Sequence, residues 1–183
     1  GVQHRDGFSR LMRIAPPYVE ASNVLTIDYG KDIYDIDISP DGLFVIASTI
    51  EINGRQRLIR MEINKLLAGD AGYEVLYEFE DNSPMNFVYS SDGRSLFGAT
   101  YLTGVSNIVK YNFETKRMKW VTNTETGFFR PLPLSRDSIL AFRYTGKGFL
   151  PVVITNDTRE DVKEIHYLGY NIEENHPIVR TWK

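Results

Sequence analysis

Along most of the chain, short runs of alternating apolar and polar residues are cut off by turn-forming ones. Ile33-Tyr34-Asp35-Ile36-Asp37-Ile38 alternates, Leu43-Phe44-Val45-Ile46-Ala47 is apolar throughout, and Ser39-Pro40-Asp41-Gly42 separates them. Alternation with a period of two marks a strand with one buried face, and a short continuous apolar run suits a strand buried on both. Within the four intervening residues, Ser accepts a hydrogen bond at the first corner and Pro presets φ at the second. Asp tolerates the third, and Gly closes the turn. The pattern predicts a β-hairpin. It returns around Ser90-Ser91-Asp92-Gly93 and around Ser135-Arg136-Asp137-Ser138, so Pro40, Asp41, Gly42, Asp92, Gly93 and Asp137 are assigned to structural turns.

Each hairpin opens a unit of four predicted strands. The first unit places them at 33–38, 43–49, 57–63 and 73–79, with one short helical turn accommodated within 64–72. The second places them at 86–90, 95–101, 107–113 and 118–122; the third at 130–134, 139–144 and 150–154, with 163–168 as its fourth. Asp41 and Asp92 are 51 residues apart and Asp92 and Asp137 are 45 apart, the difference falling mostly in 64–72. Arg10-Leu11-Met12-Arg13-Ile14 anticipates Arg57-Leu58-Ile59-Arg60-Met61, so the chain opens within a unit. Residues 1–6 are polar and are expected to fray. The predicted division is a half unit at 7–30, full units at 31–81, 82–127 and 128–170, and the start of another at 171–183.

Repeats of this length, with four short strands each, are the signature of β-propeller blades. A lone four-stranded sheet cannot bury both its faces, so such units stack on one another around an axis. The expected fold is all-β: a partial β-propeller of about three four-stranded antiparallel blades plus incomplete flanking strands. Inner strands should then be apolar on both faces. Phe87 and Tyr89 on one side, with Val88 on the other, fit that rule. Asp35 and Asp37 share a face and do not. Either they look into the central channel or the register of that strand differs.

Composition narrows the function classes. With 21 Lys+Arg against 24 Asp+Glu the net charge is −3, and no basic stripe exists to displace the counterions of a nucleic acid. There are no cysteines, which excludes disulfides and thiolate metal sites and leaves cytosol and periplasm both open. No apolar run is long enough to span a bilayer, so direct membrane insertion by this segment is not expected. The eleven Tyr and ten Phe favour half-buried pleated surfaces over helices. The chain starts without Met and stops at Trp182-Lys183 inside a predicted strand, and is read as an excised segment of a longer one.

The run ISPDGLFVIAS at 38–48, YSSDGRSLFGAT at 89–100 and NIVKYNFETKRMKWVT at 107–122 resembles the repeat of TolB-like, WD-repeat-like β-propellers. In that family a strand ends in Ser-Pro-Asp-Gly, an apolar strand follows, and a third strand turns through an acid-threonine pair into a fourth ending in Val-Thr or Leu-Thr. The repeat is also similar to those of the propeller domains of prolyl-oligopeptidase-type serine peptidases and of propellers fused to bacterial outer-membrane proteins. The resemblance covers most of residues 22–155. It implies the fold, and it favours a periplasmic or cell-envelope location. The third unit departs from it, with Ser138 in place of the turn Gly. Such propellers close with about four to eight blades. Three blades alone leave open edges, so the segment is expected to belong to a longer chain or to associate with a second copy.

Candidate chemistry is sparse. His4, His166 and His176 are scattered, with no metal-ligand spacing. Asp28, Asp32, Asp35 and Asp37 alternate along a strand instead of wrapping a calcium loop. Recurrence of Asp41, Asp92 and Asp137 is explained by turn geometry. There is no Gly-x-Ser-x-Gly elbow, and Gly146-Lys147-Gly148 reads as a hairpin turn with no helix behind it to bind a phosphate. Asn156-Asp157-Thr158 matches a glycosylation acceptor by pattern alone. No catalytic residue, cofactor site or metal site is assigned.

Phe128-Phe129-Arg130-Pro131-Leu132-Pro133 is the surface candidate. Aromatics beside an Arg are frequent in interaction hot spots, and the prolines remove ladder donors, which points to an edge or innermost strand. Phe128, Phe129 and Arg130 are therefore assigned as a possible interaction surface. The expected function is a non-catalytic interaction or scaffolding module with a protein partner, or with the remainder of its own chain. The alternative is a regulatory propeller domain of a serine peptidase whose catalytic domain lies elsewhere.

Overall fold

The computed structural model of the chain describes residues 1–79 and 82–160, together with Val162, Asn175, His176 and Ile178. Among the described residues fourteen strands and one short helix follow one another in four antiparallel sheets, each strand pairing with its sequence neighbours within its sheet. The first sheet holds β1 (Val2–Arg5), β2 (Phe8–Ile14) and β3 (Ala21–Thr26). The second holds β4 (Lys31–Ile38), β5 (Phe44–Glu51), β6 (Gln56–Glu62) and β7 (Glu74–Phe79), with α1 (Ile63–Leu67) between the last two. The third holds β8 (Met85–Tyr89), β9 (Ser95–Thr100), β10 (Asn107–Asn112) and β11 (Arg117–Trp120). The fourth holds β12 (Phe128–Pro133), β13 (Ser138–Thr145) and β14 (Gly148–Thr155).

The sheets are stacked, and the core is divided accordingly. Leu11, Ile33, Val45, Ala47, Ile59 and Met61 fill the seam between the first and second sheets, with Leu66 of α1. Ile46, Leu58, Phe87, Tyr89, Leu96, Val109 and Tyr111 fill the next. Phe97, Ile108, Val121, Ile139 and Ala141 fill the third seam. Neighbouring residues therefore go to opposite seams: Val45 and Ala47 to one, Ile46 to the other; Leu96 to one, Phe97 to the other. This is why β9 is buried at all six of its positions and reads as a continuous apolar run. A strand between two neighbours has no solvent face. Gly98 lets the strands come this close, because a Cβ there would stand 2.4–2.5 Å from three ring atoms of Phe87.

Strands β4, β8 and β12 each lie at an edge of their sheet and run beside one another, so the first strand of each unit lines the axis. The fold is a partial β-propeller.

Three expectations are corrected. Residues 1–6 do not fray: Val2–Arg5 forms β1 against Phe8–Leu11. Asp6 at φ 55° and Gly7 at φ 77° supply the two left-handed residues that a tight hairpin needs. Secondly, Asp35 and Asp37 do not simply alternate: of the two readings of this pair, the altered register is the one the strand shows. Tyr34 pairs with Ser48 and Asp37 with Ile46, with a bulge between and Asp35 at φ 48°. Thirdly, the turn after β12 is one residue shorter than its predecessors. Ser39 N–H bonds the Phe44 carbonyl and Ser90 N–H that of Ser95, whereas Leu134 N–H bonds that of Ser138. Leu134, not Ser135, thus occupies the place of Ser39, and Asp137 is not equivalent to Asp41. The predicted strand at 163–168 lies outside the described residues. Of 176–182 only His176 and Ile178 are described, both exposed.

Candidate interaction surface

The first two turns are built alike. Asp41 Oδ1 accepts from the Ser39 hydroxyl and from Leu43 N–H at 3.0 Å, while Ser39 Oγ accepts Phe44 N–H at 2.9 Å. Asp92 does the same with Ser90, at 2.7 Å, and with Arg94 N–H, at 3.1 Å; Ser90 Oγ takes Ser95 N–H at 3.0 Å. These bonds, led by the serine hydroxyl and then the backbone N–H, hold both carboxyls below the usual aspartate value. Gly42 (φ 72°) and Gly93 (φ 68°) close the turns, where a side chain would be strained. Pro40 lies beside the second turn: a Cβ on Gly93 would meet its ring at 3.7 Å. In the third turn Asp137 instead donates its N–H to Ser135 Oγ at 3.2 Å, and its carbonyl accepts Asn156 N–H at 3.1 Å.

Each axial strand carries the same bulge, with one left-handed non-glycine residue in it: Asp35 (φ 48°), Asn86 (φ 51°) and Arg130 (φ 49°). Such residues are held only where the surroundings demand it. Between β4 and β8 the demand is visible. Asp35 Oδ2 accepts Asn86 N–H at 2.9 Å and its Oδ1 accepts the Asn86 side-chain amide at 3.2 Å; Asp37 Oδ2 accepts Tyr89 N–H at 2.8 Å. The two carboxylates both reach across to the next sheet. They satisfy the outward donors of the next sheet. Burial, then the Asp35 charge, pushes the Tyr34 phenol up to about 12, against a weaker downward pull from a hydrogen bond with Ser83. Tyr89 is likewise raised, chiefly by burial.

Between β8 and β12 the complement differs. Pairing registers equate Asp37 with Val88 and Tyr89 with Pro133. Pro133 has no N–H, and Val88 has no acceptor. The prolines of β12 thus sit at the sheet edge, on the axial strand, where a missing donor leaves nothing unpaired.

Phe128 and Phe129 diverge from there. Phe128 turns into the third seam and is clamped to Ser106, whose Oγ donates to its carbonyl at 2.6 Å and whose carbonyl accepts its N–H at 2.8 Å. Phe129 turns outward. Its ring meets Phe149 edge-on at 5.2 Å and Tyr101 at 6.4 Å, and Phe149 meets Tyr144 at 5.3 Å. Gly127 (φ 111°) backs onto the Phe129 ring, which a Cβ would meet at 3.0 Å. Arg130 is exposed and, among the described residues, makes no ion pair. Register extends this face through Leu140, Phe142, Pro151 and Val153, with Phe149 57% and Val153 62% exposed. The outer face of the fourth sheet is therefore apolar, with Phe142, Tyr144, Phe149 and Val153 exposed.

Sequence reasoning did not find the trio at the first seam. Ser9 Oγ lies 2.8 Å from Asp32 Oδ1 and 2.9 Å from His4 Nδ1. The types are those of a hydrolase, but the order is not. The hydroxyl sits between base and acid, Ser9 is fully buried, and its oxygen also takes Ile33 N–H at 3.4 Å. The trio ties the sheets together. Among the described residues no cluster of His, Cys, Asp and Glu is arranged to hold a metal, and no helix is long and apolar enough to cross a membrane.

No family model matches the chain, and no curated protein matches it in sequence. Its fold is similar to that of several solved structures. A putative TolB from Agrobacterium tumefaciens is 15% identical at a TM-score of 0.55, covering 83% of this chain and 61% of that one. An oligogalacturonate lyase from Vibrio parahaemolyticus is 12% identical at 0.58, covering 83% and 45%. A putative dipeptidyl aminopeptidase IV from Bacteroides ovatus is 11% identical at 0.62, covering 86% and 26%. This chain thus spans less than two thirds of each of these structures, and what it shares with TolB and with the peptidase is the β-propeller fold.

Proposed function

We propose that this chain is a non-catalytic propeller segment that binds another protein or scaffolds a larger assembly, in the cell envelope, through the face centred on Phe129 and Arg130. The observation behind the reading is the aromatic row of half-buried Phe129 with exposed Phe149 and Tyr144, continued by Phe142 and Val153, with exposed Arg130 next to Phe129 in the strand. A contiguous apolar face of this kind marks an interaction site, and aromatic side chains beside arginine are the usual anchors. Arg130 beside it suits an apolar partner surface with an acidic group at its rim.

Light scattering at high concentration tests this. The wild-type chain is expected to associate, and Val153→Asp, which places a charge in the middle of the face, to be monomeric with unchanged circular dichroism. A Val153→Asp variant that associates as the wild type does overturns the assignment of this face. The second reading is the regulatory propeller of a serine peptidase, favoured by the similarity to the B. ovatus peptidase structure. A Gly-x-Ser-x-Gly downstream in the parent reading frame would select it.

A further inference from the structure

Backbone hydrogen bonds put the second, third and fourth sheets into one frame. Phe113 N–H bonds the Arg94 carbonyl and Asn156 N–H that of Asp137, each acceptor lying just before the second strand of its sheet. Phe113 and Asn156 are therefore equivalent. So are Phe44 and Ser95, whose carbonyls accept Ser39 N–H and Ser90 N–H. Arg60 pairs with Ile46 and Lys110 with Phe97, each two residues further on, so Arg60 and Lys110 also correspond. One cation thus stands at the same place in each of the two seams that flank the third sheet.

In the second seam that cation is closed in. Arg60 Nε and Nη2 donate to Glu74 Oε2 at 3.1 and 2.6 Å, and the guanidinium lies 4.6 Å from the centre of the Phe44 ring and 5.1 Å from that of Phe113. In the third seam all three partners are exchanged. Lys119 stands opposite Lys110 where Glu74 stands opposite Arg60, and its own ammonium is turned to Glu160 at 2.6 Å. Ser95 takes the place of Phe44, and Asn156 that of Phe113. Half-buried Lys110 keeps the Phe97 ring at 5.3 Å and one long contact, 3.5 Å, with Asn156 Oδ1. Asn156 is held in that orientation by its amide, which donates to the Arg136 carbonyl at 2.8 Å. Among the described residues Lys110 makes no ion pair. An ammonium carries three donors, and a partly buried charge without a counter-charge is costly.

A cavity of about 250 Å³ lies at this point, lined among others by Ser95, Phe97, Lys110, Arg136 and Asn156. Asp92 also lines it, but its Oδ1 is held within its own turn by the Ser90 hydroxyl and Arg94 N–H. We propose that this cavity binds a small carboxylate ligand. The ligand's carboxylate stands against Lys110 as Glu74 stands against Arg60, and exposed Arg136 supplies the second cation of the wall. Charge-assisted hydrogen bonds of this kind are the strong ones. The second seam argues for the chemistry of the occupant: the group that satisfies the equivalent cation there is a carboxylate. The proposal does not rest on the Phe129 face.

Succinate is the probe, titrated at constant ionic strength into the isotopically labelled chain by two-dimensional amide NMR, with chloride as the control anion. Saturable shifts are expected at Lys110, Arg136 and Asn156. Lys110→Met, which keeps the length of the side chain and drops its charge, should bind at least about tenfold more weakly. Lys119→Glu offers Lys110 an internal carboxylate, as Glu74 does for Arg60, and should weaken binding as much. Lys119→Met, which removes an exposed charge alone, should stay within about threefold of the wild type. Circular dichroism checks that each variant is folded. Absence of saturable shifts, as when another carboxylate of the chain fills the place, overturns the proposal. Shifts that chloride reproduces do the same, and so does undiminished affinity in either Lys110→Met or Lys119→Glu.

Discussion

At the scale of single residues, the seam carboxylates matter more than the turn ones. Without Asp37 the Tyr89 N–H is left unpaired between two sheets. Asp37→Ala should therefore cost about 1–3 kcal/mol in urea denaturation, and Asp37→Asn, which keeps an acceptor oxygen, distinctly less. Arg130 invites the opposite change. It holds φ 49° without a side-chain bond among the described residues to justify it, so Arg130→Gly trades strain for chain entropy and should stabilise by about 0.5 kcal/mol. The tyrosines set an alkaline limit. Tyr34 and Tyr89 are held above the ordinary value of 10.0, so the folded state keeps their protons longer than the unfolded chain. Their contribution is complete below pH 10 and disappears as pH rises through about 12 for Tyr34. Phenolate absorbance should rise together with loss of the β-sheet circular dichroism, and Tyr34→Phe should separate the two.

At the scale of elements, the hairpin turns and the packed strands behave differently. Asp41 and Asp92 are depressed, so their turn bonds stabilise the fold above the usual aspartate range and are lost as pH falls below it. Asp92→Asn should flatten that acid dependence, measured as the denaturation midpoint against pH. In β9, Gly98→Ala drives a methyl group into the Phe87 ring and should cost at least about 1–3 kcal/mol. Gly146→Ala, with nothing within 4 Å of the added atom, should stay within about 0.5 kcal/mol of neutral. The hairpins were legible in the sequence because Ser-Pro-Asp-Gly and Ser-Ser-Asp-Gly name their own geometry. The bulges were not, since an extra residue in an alternating run leaves no mark in Ile33–Ile38. The pairing of Asp35 and Asp37 on one face consequently admitted either channel residues or an altered register; the strand has the altered register, and the partner β8 explains the carboxylates. Asp137 misled for a related reason: a shortened turn keeps the motif letters and moves their places. Asp6-Gly7 was readable as a hairpin turn and was passed over as a polar terminus. On the interaction surface, the prolines of β12 gave the axial strand, but the company Phe129 keeps with Tyr101, Tyr144 and Phe149 depends on register.

At the scale of the whole molecule, each sheet is stable only between neighbours, and the two outer faces differ. The fourth sheet offers an apolar face, whereas β1 shows Gln3, His4 and Arg5 to solvent. Mixing Val153→Asp with wild-type chain should therefore yield no mixed species in light scattering if association is through like faces; a head-to-tail contact would retain one. The seams carry a further consequence. Carboxylates meet amides between β4 and β8, whereas the corresponding positions between β8 and β12 are valine and proline. A gene in which the second and third units exchanged places would strand Asp37 against a residue with nothing to give, and leave donors elsewhere without takers. Homologous recombination among these look-alike units is thereby penalised. The order of the units is constrained by which carboxylates and donors face each other at a junction.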